Sequence, residues 1–566
     1  MSAEGESKKG TTPAERHAIG ISFGNSNSSI AYTTGEDKAE VIANEDGDRQ
    51  IPSILSYVAG EEYNGQQAKA QLIRNSKNTV AYFRDFLGQD FKSIDPTHSH
   101  ASAHPEAHGD TVAFKIHDKE GDEESTVTIS EITTRHLRRL AQSASDYTGK
   151  NINSAVITVP TNFSEKQKAA LTKAATDAGL EVLQLIHEPV AALLAYDARP
   201  ESKVSDKIVV VADLGGTRSD VAVIASRGGM YTILATAHDY DTAGVHLDKV
   251  LQDHFAKEFI KWNTTDPREN ARSLAKLKQE SEATKRALSI GTNANFSVES
   301  LAEGADFAST INRLRYETIA RKVFDGFNRL IEGVVKKAGL DVLDIDEVIL
   351  SGGTSHTPKI ASNMANIFPS STTILAPSTT PTAINPAELQ ARGAALQASL
   401  IQEYEKEDIE QSTHAAVTTV KHLSKAIGVL AITDDVSKGV FTPIVSAETA
   451  VPARRTIHIN APKEGGDVLI KIVEGESSIK VSKAEPKAKT AGENSEDSDD
   501  ESDEEPEDIR EKVWKVGTVL AEAAIKSVKK GGKVEVMINV AGDASVTVTC
   551  REVGGKGGVR GQLSPP

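Results

Sequence analysis

IVVVADLGGTRSDVAVIA, Ile208–Ala225, is the stretch whose reading decides the fold. Val209, Val210 and Val211 lead into Asp213, Leu214, Gly215 and Gly216, and an apolar alternation resumes at Val221, Val223 and Ile224. The pattern predicts a strand, a tight glycine turn and a second strand, that is, a β-hairpin. Glycine at such a turn lets backbone N–H groups approach an anion with no Cβ in the way. The pattern returns near the N-terminus in AIGISFGNSNSSIAY, Ala18–Tyr32, with Gly24 at the turn and Asn25, Ser26, Ser28 and Ser29 as amide or hydroxyl donors. One such hairpin is weak evidence, because any Gly-bearing turn looks alike. Two of them suggest a duplicated phosphate-gripping unit facing one ligand.

Composition sets the outer bounds. A chain of 566 residues is too long for one core and predicts several domains. With 38% hydrophobic and 26% charged residues it falls among ordinary globular proteins. A single cysteine, Cys550, excludes an internal disulfide framework and fits a reducing compartment. The start, MSAEGESKKGTTPAERH, lacks the apolar core of a signal peptide. No apolar run reaches the ~18–20 residues of a membrane helix, so a cytosolic or nuclear protein without a membrane is expected. A net charge of −17 argues against a nucleic-acid surface, and hence against direct DNA binding.

Along the chain, residues 1–16 read as a disordered leader. Val41–Tyr57 reads as strand, turn and strand, and helices are expected around Gln66–Asn75 and Val80–Leu87. The loop THSHASAHPEAH carries His98, His100, His104 and His108; without carboxylate or thiol spacing beside them, a solvated loop is preferred to a metal site. Ser130–Tyr147 has amphipathic helical spacing, and Asn153–Phe163 reads as a buried strand ending at Pro160. Ser164–Leu180 is a helix with a serine N-cap and a glycine stop, and Pro189 opens another in His187–Tyr196. Helices Leu274–Leu288 and Glu317–Ala338 follow the central hairpin. Asp346–Ala365 reads as strand, Gly352–Gly353 turn and helix, and Asn385–Ile401 as a last helix. The order is α/β, in two lobes with partly antiparallel sheets and a ligand cleft between them.

From 403 to 424 the chain is a polar linker. Residues 425–553 carry short alternating strands that read as a small β-sandwich. An acidic insert, 484–510, interrupts it and cannot bury enough apolar surface to fold. Within it, Ser498 and Ser502 have acidic residues three positions on and are phosphorylation candidates, although a solubilising loop is the plainer reading. Residues 554–566 form a Gly/Pro tail.

These motifs occur in a known order. The first hairpin, NEDGDRQIPS, VITVP, HEPVAA, DLGG, EATKRALS, SGGT and the NP–GAA helix resemble, in sequence, the seventy-kilodalton heat-shock (DnaK-type) chaperones. The resemblance is dense over residues 18–400 and looser beyond. It implies an actin-like, two-lobed nucleotide-binding domain at 17–402 and a peptide-binding-like sandwich at 425–553. It also implies ATP as ligand, with Mg²⁺ as an optional companion. The family adds a helical lid of about a hundred residues; here the chain stops after the sandwich.

The departures are as informative. Where the family reads Asp-Leu-Gly-Thr-Thr, this chain has Ser22-Phe23-Gly24-Asn25-Ser26. The family's catalytic lysine aligns with Arg84, whose planar fork is not isosteric with an ammonium. Gly215-Gly216-Thr217-Arg218-Ser219-Asp220 replaces Gly-Gly-Gly-Thr-Phe-Asp, so Arg218 stands where a phosphate-facing threonine is expected, and Ala243–Asp248 loses an acidic pair. Glu188 and Asp213 match the family's catalytic-centre carboxylates, Asp213 being the candidate to reach a metal through water, and Pro160 matches its interdomain switch proline. Phosphates are assigned by resemblance to Gly24, Asn25, Ser26, Gly215, Gly216, Thr217, Gly352, Gly353 and Thr354. The adenosine set Glu282, Lys285, Arg286 and Ser289 is retained on one helix face, where Lys and Arg stems can sandwich a purine. Because phosphoryl transfer rests on positioning and charge placement, nucleotide binding is expected to persist and hydrolysis to be weak or absent. Arg84, Glu188 and Asp213 are then remnants of a catalytic centre. The linker, with Val417, Val420 and Leu423 but no acidic-leucine block, implies altered coupling between domains.

Within the family, the combination resembles the atypical Ssz-type branch of fungal ribosome-associated complexes. That resemblance implies a stable heterodimer with a J-domain protein of the zuotin type, cytoplasmic and held on the ribosome through that partner. It also implies a functional link to an active heat-shock chaperone that receives nascent chains. The sandwich groove would hold a partner segment by strand addition. Two alternatives stand beside it: an ATP-cycling chaperone of unfolded peptides, and a nucleotide exchange factor.

Overall fold

The computed structural model describes residues 15–563 apart from 35–37, 97–101, 121–122, 201, 203–204, 414–419, 432–438, 463, 484–507 and 556. Most of the leader, His98, His100, Val417, and the acidic insert with Ser498 and Ser502 lie outside the described residues.

Two sheets of the same design organise the first four hundred residues. In one, strands run in the order Glu181–His187, Ser154–Val159, Ala18–Phe23, Asn27–Thr33, Ala39–Ile42, with Ile51–Pro52 also on Asn27–Thr33. In the other the order is Thr373–Leu375, Glu347–Ser351, Lys207–Leu214, Ser219–Arg227, Met230–Asp239. Each hairpin strand pairs antiparallel with its successor and parallel with a strand arriving much later in the chain. The quoted stretch is a hairpin in register from Lys207↔Ser226 to Leu214↔Ser219. Every residue of Ser219–Arg227 is buried, as expected of a strand covered on both faces. Each sheet anchors its own core, one around Phe23, Phe83 and Phe114, the other around Phe255, Phe296 and Phe327. This is the α/β, actin-like two-lobed arrangement that the sequence implied.

Between the lobes lie two helices, Glu188–Asp197 and Leu389–Ile401. The first packs through Ala192, Leu193 and Tyr196 on the second sheet, and the other through Ala394 and Ala398 beside Val156 of the first sheet. Small residues let backbones touch here: a Cβ on Gly20 would overlap Ala395 N, and one on Gly393 would overlap the Ala191 carbonyl oxygen.

Several elements follow their sequence signals. Ser164 and Gln167 form a capping box at the start of helix Glu165–Asp177. Pro189 sits in the first turn of its helix. Others differ. Val80–Leu87, expected as a helix, is the strand Thr79–Ala81 followed by a 3-10 turn at Arg84–Phe86. Tyr82, between them, takes a positive φ of 56°, which no helix accommodates. Glu317–Ala338 is two helices, Arg313–Ile319 and Arg321–Lys337, broken at Ala320 where ψ opens to 3°.

The C-terminal part is a sandwich of two four-stranded sheets. One runs Val440–Val445, Ala426–Ala431, Gly466–Lys483, Asp508–Val528; the other Ala453–Asn460, Lys533–Val540, Val546–Glu552, Gly558–Leu563. Asp508–Val528, a strand of 21 residues, was not expected from the sequence; it pairs with Gly466–Lys483 along its whole length, and its first residues fall in the segment read as insert. Gly558–Leu563, read as tail, pairs with Val546–Glu552. The sandwich also rests on the second lobe. Ser477 and Lys512 meet Asp344 at 2.9 and 3.0 Å, Arg510 pairs with Asp341, and Arg227 Nε donates to the Ala447 carbonyl at 2.9 Å.

Candidate functional site

The glycine turns of the two hairpins face each other across the gap between the lobes. Asn25 Nδ2 donates to Thr217 Oγ1 at 3.0 Å, and Gly216 approaches Ser26 so closely that a Cβ would meet the serine side chain. Gly352, at φ +82°, leaves no room for a Cβ beside the Leu214 carbonyl and Asp213. Thr354 Oγ1 donates to the Gly215 carbonyl at 2.9 Å, tying the third turn to the second. The cleft they enclose has a volume of about 650 Å³, within the range of small-molecule and cofactor sites. All sixteen residues named from the sequence line it: Arg84, Glu188 and Asp213, the nine turn residues, and the four from helix Ala271–Ile290. Asn25 Oδ1 and Ser26 Oγ are buried there without a partner. Buried polar atoms are normally satisfied, so this pair fits a ligand seated on the first turn.

The two ends of the cleft differ in chemistry. At one end, Glu282 accepts from Lys69 Nζ and Arg286 Nη2, both at 2.6 Å, and Lys285 Nζ lies 2.8 Å from Asp248. Lys69 comes from the first lobe, so its pair with Glu282 closes the cleft. Burial would raise the Glu282 carboxyl, but Lys69, Arg286 and Lys285 outweigh it and hold it down to about 2. The exposed Arg286 stem and Ser289 border the same space.

At the other end, two guanidinium groups are enclosed among carboxylates. Arg84 Nη1 donates to Glu188 Oε1 at 3.0 Å and to the Phe23 carbonyl at 3.2 Å, while its Nε donates to Asp85 at 2.8 Å. Arg218 grips Asp220 with both arms, its Nε at 2.7 Å from Oδ2. It also donates to Asn162 Oδ1 of the first lobe at 3.0 Å and to Tyr240 Oη at 2.8 Å. His238 Nδ1 is 2.6 Å from Asp220 Oδ1. Burial, partly offset by Arg84 and reinforced by Asp213 and Asp220, raises the Glu188 carboxyl well above its ordinary range. Burial and the Asp220 charge raise Asp213 as well. Asp220 moves the other way, because Arg218 and His238 outweigh its burial. Ser22, in place of the family's aspartate, donates to Gln390 Oε1 at 2.9 Å.

Oxygen atoms of Glu188, Asp213 and Asp220 lie within 4.8 Å of one another, the one grouping of metal-ligand type among the described residues. Its spacing suits a hydrated divalent cation. The segment of His104 and His108, read as a solvated loop, is in part a strand, Pro105–His108, paired with Thr111–Ile116. The sequence reading did not name Lys69, Gln390, Asn162 or Tyr240 as site residues. No motif surrounds them, and each is defined only by the fold that brings it to the cleft.

A two-lobed domain with paired glycine hairpins, a basic helix face and a carboxylate cluster at one cleft defines a nucleotide-binding chaperone ATPase domain, and residues 18–486 match the Hsp70 protein family. The chain belongs to that family, whose members in general bind nucleotide with Mg²⁺. It is 45% identical over 547 residues to the ribosome-associated complex subunit SSZ1 of Saccharomyces cerevisiae, covering 96% of this chain and 99% of that protein. It is 46% identical over 553 residues to a heat shock protein 70 homologue of Schizosaccharomyces pombe, covering 96% and 95%. The heat shock 70 kDa protein 14 of Homo sapiens is 32% identical over 465 residues, covering 81% of this chain and 87% of that protein. Among the described residues, no helix is long and apolar enough to cross a membrane.

Proposed function

We propose that this chain is a chaperone-family subunit of a ribosome-associated complex that binds ATP in the cleft and hydrolyses it weakly or not at all. It pairs stably with a J-domain protein of the zuotin type, reaches the ribosome through that partner in the cytoplasm, and stimulates another heat-shock chaperone during co-translational folding. End-to-end similarity to the yeast subunit supports the assembly. The contrast between the two ends of the cleft supports the chemistry. Lys69, Glu282, Lys285, Arg286 and Ser289 offer the base and ribose a complete set of contacts, and the three glycine turns offer N–H groups and hydroxyls to phosphates.

The observation that carries the reading is the commitment of both buried cations. Arg84 is held by Glu188, Asp85 and the Phe23 carbonyl, and Arg218 by Asp220. Each is aimed at and neutralised by carboxylates of the protein, which leaves little positive charge directed at a transferring phosphoryl group, and preorganised charge at that group is what accelerates the reaction. Mg²⁺ would be held by Asp213 through water, beside Glu188 and Asp220, and would screen the phosphates. Bound ATP then acts as a ligand that stabilises the native lobes by mass action.

Single-turnover hydrolysis measured beside nucleotide occupancy tests this. Stoichiometric ATP with no turnover is expected, together with co-purification of the J-domain partner. Turnover stimulated by unfolded peptide would overturn it and favour an ATP-cycling chaperone. Accelerated nucleotide release from an active chaperone would favour an exchange factor.

A further inference from the structure

Behind the first glycine turn, on the side away from the cleft, runs a buried chain of hydrogen bonds. His136 Nε2 lies 2.9 Å from Ser28 Oγ, Ser28 Oγ lies 2.9 Å from Ser53 Oγ, and Ser53 Oγ donates to the Gly24 carbonyl at 2.7 Å. All three side chains are buried. The direction of every proton follows from the last bond. A carbonyl only accepts, so the Ser53 hydroxyl proton is spent on Gly24. Ser28 must therefore donate to Ser53, and the imidazole must donate to Ser28 from Nε2–H. His136 Nδ1 is then a bare acceptor, and it is indeed buried without a partner. Its ring packs against Phe23, tilted, and Phe83, edge to face, with centroids 5.6 and 5.8 Å away.

Ser53 also acts through its backbone, its N–H donating to the Ser26 carbonyl at 3.0 Å. The two bonds hold the first and last carbonyls of the Gly24–Ser26 turn, those of Gly24 and Ser26, to the rear. In a planar trans peptide the N–H points opposite to the C=O, so fixing the Gly24 carbonyl turns the Asn25 N–H forward. No backbone acceptor within the turn takes up that N–H. We propose that Ser53, oriented by Ser28 and His136, is a positioning residue for phosphate: it clamps the first glycine turn from behind and aims its backbone donors into the cleft. This rests on the nucleotide reading above, which assigns the same turn to phosphates. Ser53 itself touches no ligand; Pro52, beside it, lines the cleft.

The test is calorimetric titration of the full chain with ATP and, separately, with adenosine. Adenosine uses the helix Ala271–Ile290 end and has no phosphate. Ser53→Ala is expected to weaken ATP about tenfold, the scale of one well-placed hydrogen bond, and to leave adenosine unchanged. Ser28→Ala keeps the Ser53 hydroxyl but frees its rotation; it is expected to weaken ATP by about threefold, again without touching adenosine. If Ser53→Ala does not fold, Ser28→Ala carries the same comparison. Equal loss of both ligands would mean a general structural role and would overturn the proposal, as would no loss of ATP in either variant. A wild-type chain that binds neither ligand would instead defeat the nucleotide reading itself.

Discussion

Replacing Arg218 by alanine removes the guanidinium that both arms of Asp220 depend on. Its side chain is only 5% exposed, so water cannot take over. Breaking a buried ion pair by deleting one partner destabilises by about 3–5 kcal/mol. The lower end applies here, because His238 stays 2.6 Å from Asp220 and keeps one hydrogen-bonding partner beside it. For a unit the size of one lobe, each kcal/mol shifts Tm by about 2–4 °C, so Arg218→Ala is expected to melt roughly 6–12 °C lower than the nucleotide-free parent. The loss also uncovers carboxylate charge: Glu188, Asp213 and Asp220, with oxygens within 4.8 Å, lose one of the two guanidinium groups beside them and keep that of Arg84. Mg²⁺ at about ten times its Kd would return about 1.4 kcal/mol, or ~3–6 °C, to the variant and less to the parent. Differential scanning calorimetry with and without Mg²⁺ measures both. A variant melting within about 2 °C of the parent, or an equal Mg²⁺ response in both proteins, would refute the view that Arg218 neutralises this end of the cleft.

Three further outcomes are expected. Glu282→Gln weakens both the Lys69 and Arg286 contacts, and a bound fluorescent ATP analogue should leave about tenfold faster in stopped-flow, since charged hydrogen bonds contribute about 1.5 kcal/mol or more. Burial holds His136 down to about 4, so the folded state binds fewer protons than the unfolded state between that value and 6.5, and stability falls as pH drops through this window. His136→Leu removes up to about 3.4 kcal/mol of that pH dependence, read as a flatter urea midpoint between pH 7 and 4. Gly393→Ala forces a methyl into the Ala191 carbonyl and should lower Tm in a thermal melt by an amount equivalent to at least 1–3 kcal/mol, roughly the overpacking range.

How much of this was legible in the sequence depended on whether a residue's environment has a period. The central hairpin was readable because a run of valines buried on both faces ends in glycines that only a turn requires. Asp508–Val528 was not, because Trp514, Val516 and Val519 stay exposed among lysines and glutamates, and the strand is held by backbone pairing along its length instead of by one buried face. Val80–Leu87 misled for the opposite reason: Val80, Ala81, Phe83 and Phe86 are all buried, and a short apolar run does not distinguish helix from strand. At the cleft, Glu282 and Lys285 share one helix face by spacing, and the family resemblance is what named them as site residues. Lys69 could not be read, because it arrives from the other lobe, 213 residues away in the chain. The substitutions Ser22, Arg84 and Arg218 were visible as letters, but whether the arginines stood free or were gripped by carboxylates needed three dimensions.

The contact of helix Leu389–Ile401 with its neighbours has a mechanical side. At Gly20 and Gly393 main chain lies on main chain, with no side chain between to be compressed. A joint without a cushion has no play, and displacement on one side is passed on undiminished. The helix is 13 residues long, so it acts as a rod of about 20 Å. Tilting it by ~5° about one end carries the other through ~1.7 Å, half the length of a hydrogen bond. Its cleft end begins beside Gln390, and its far end runs into Gln402 and Tyr404, whose carbonyls are both held by Arg16. Arg16, which also grips Glu181, therefore ties that far end to the first sheet, at the point where the chain leaves the lobes for the sandwich.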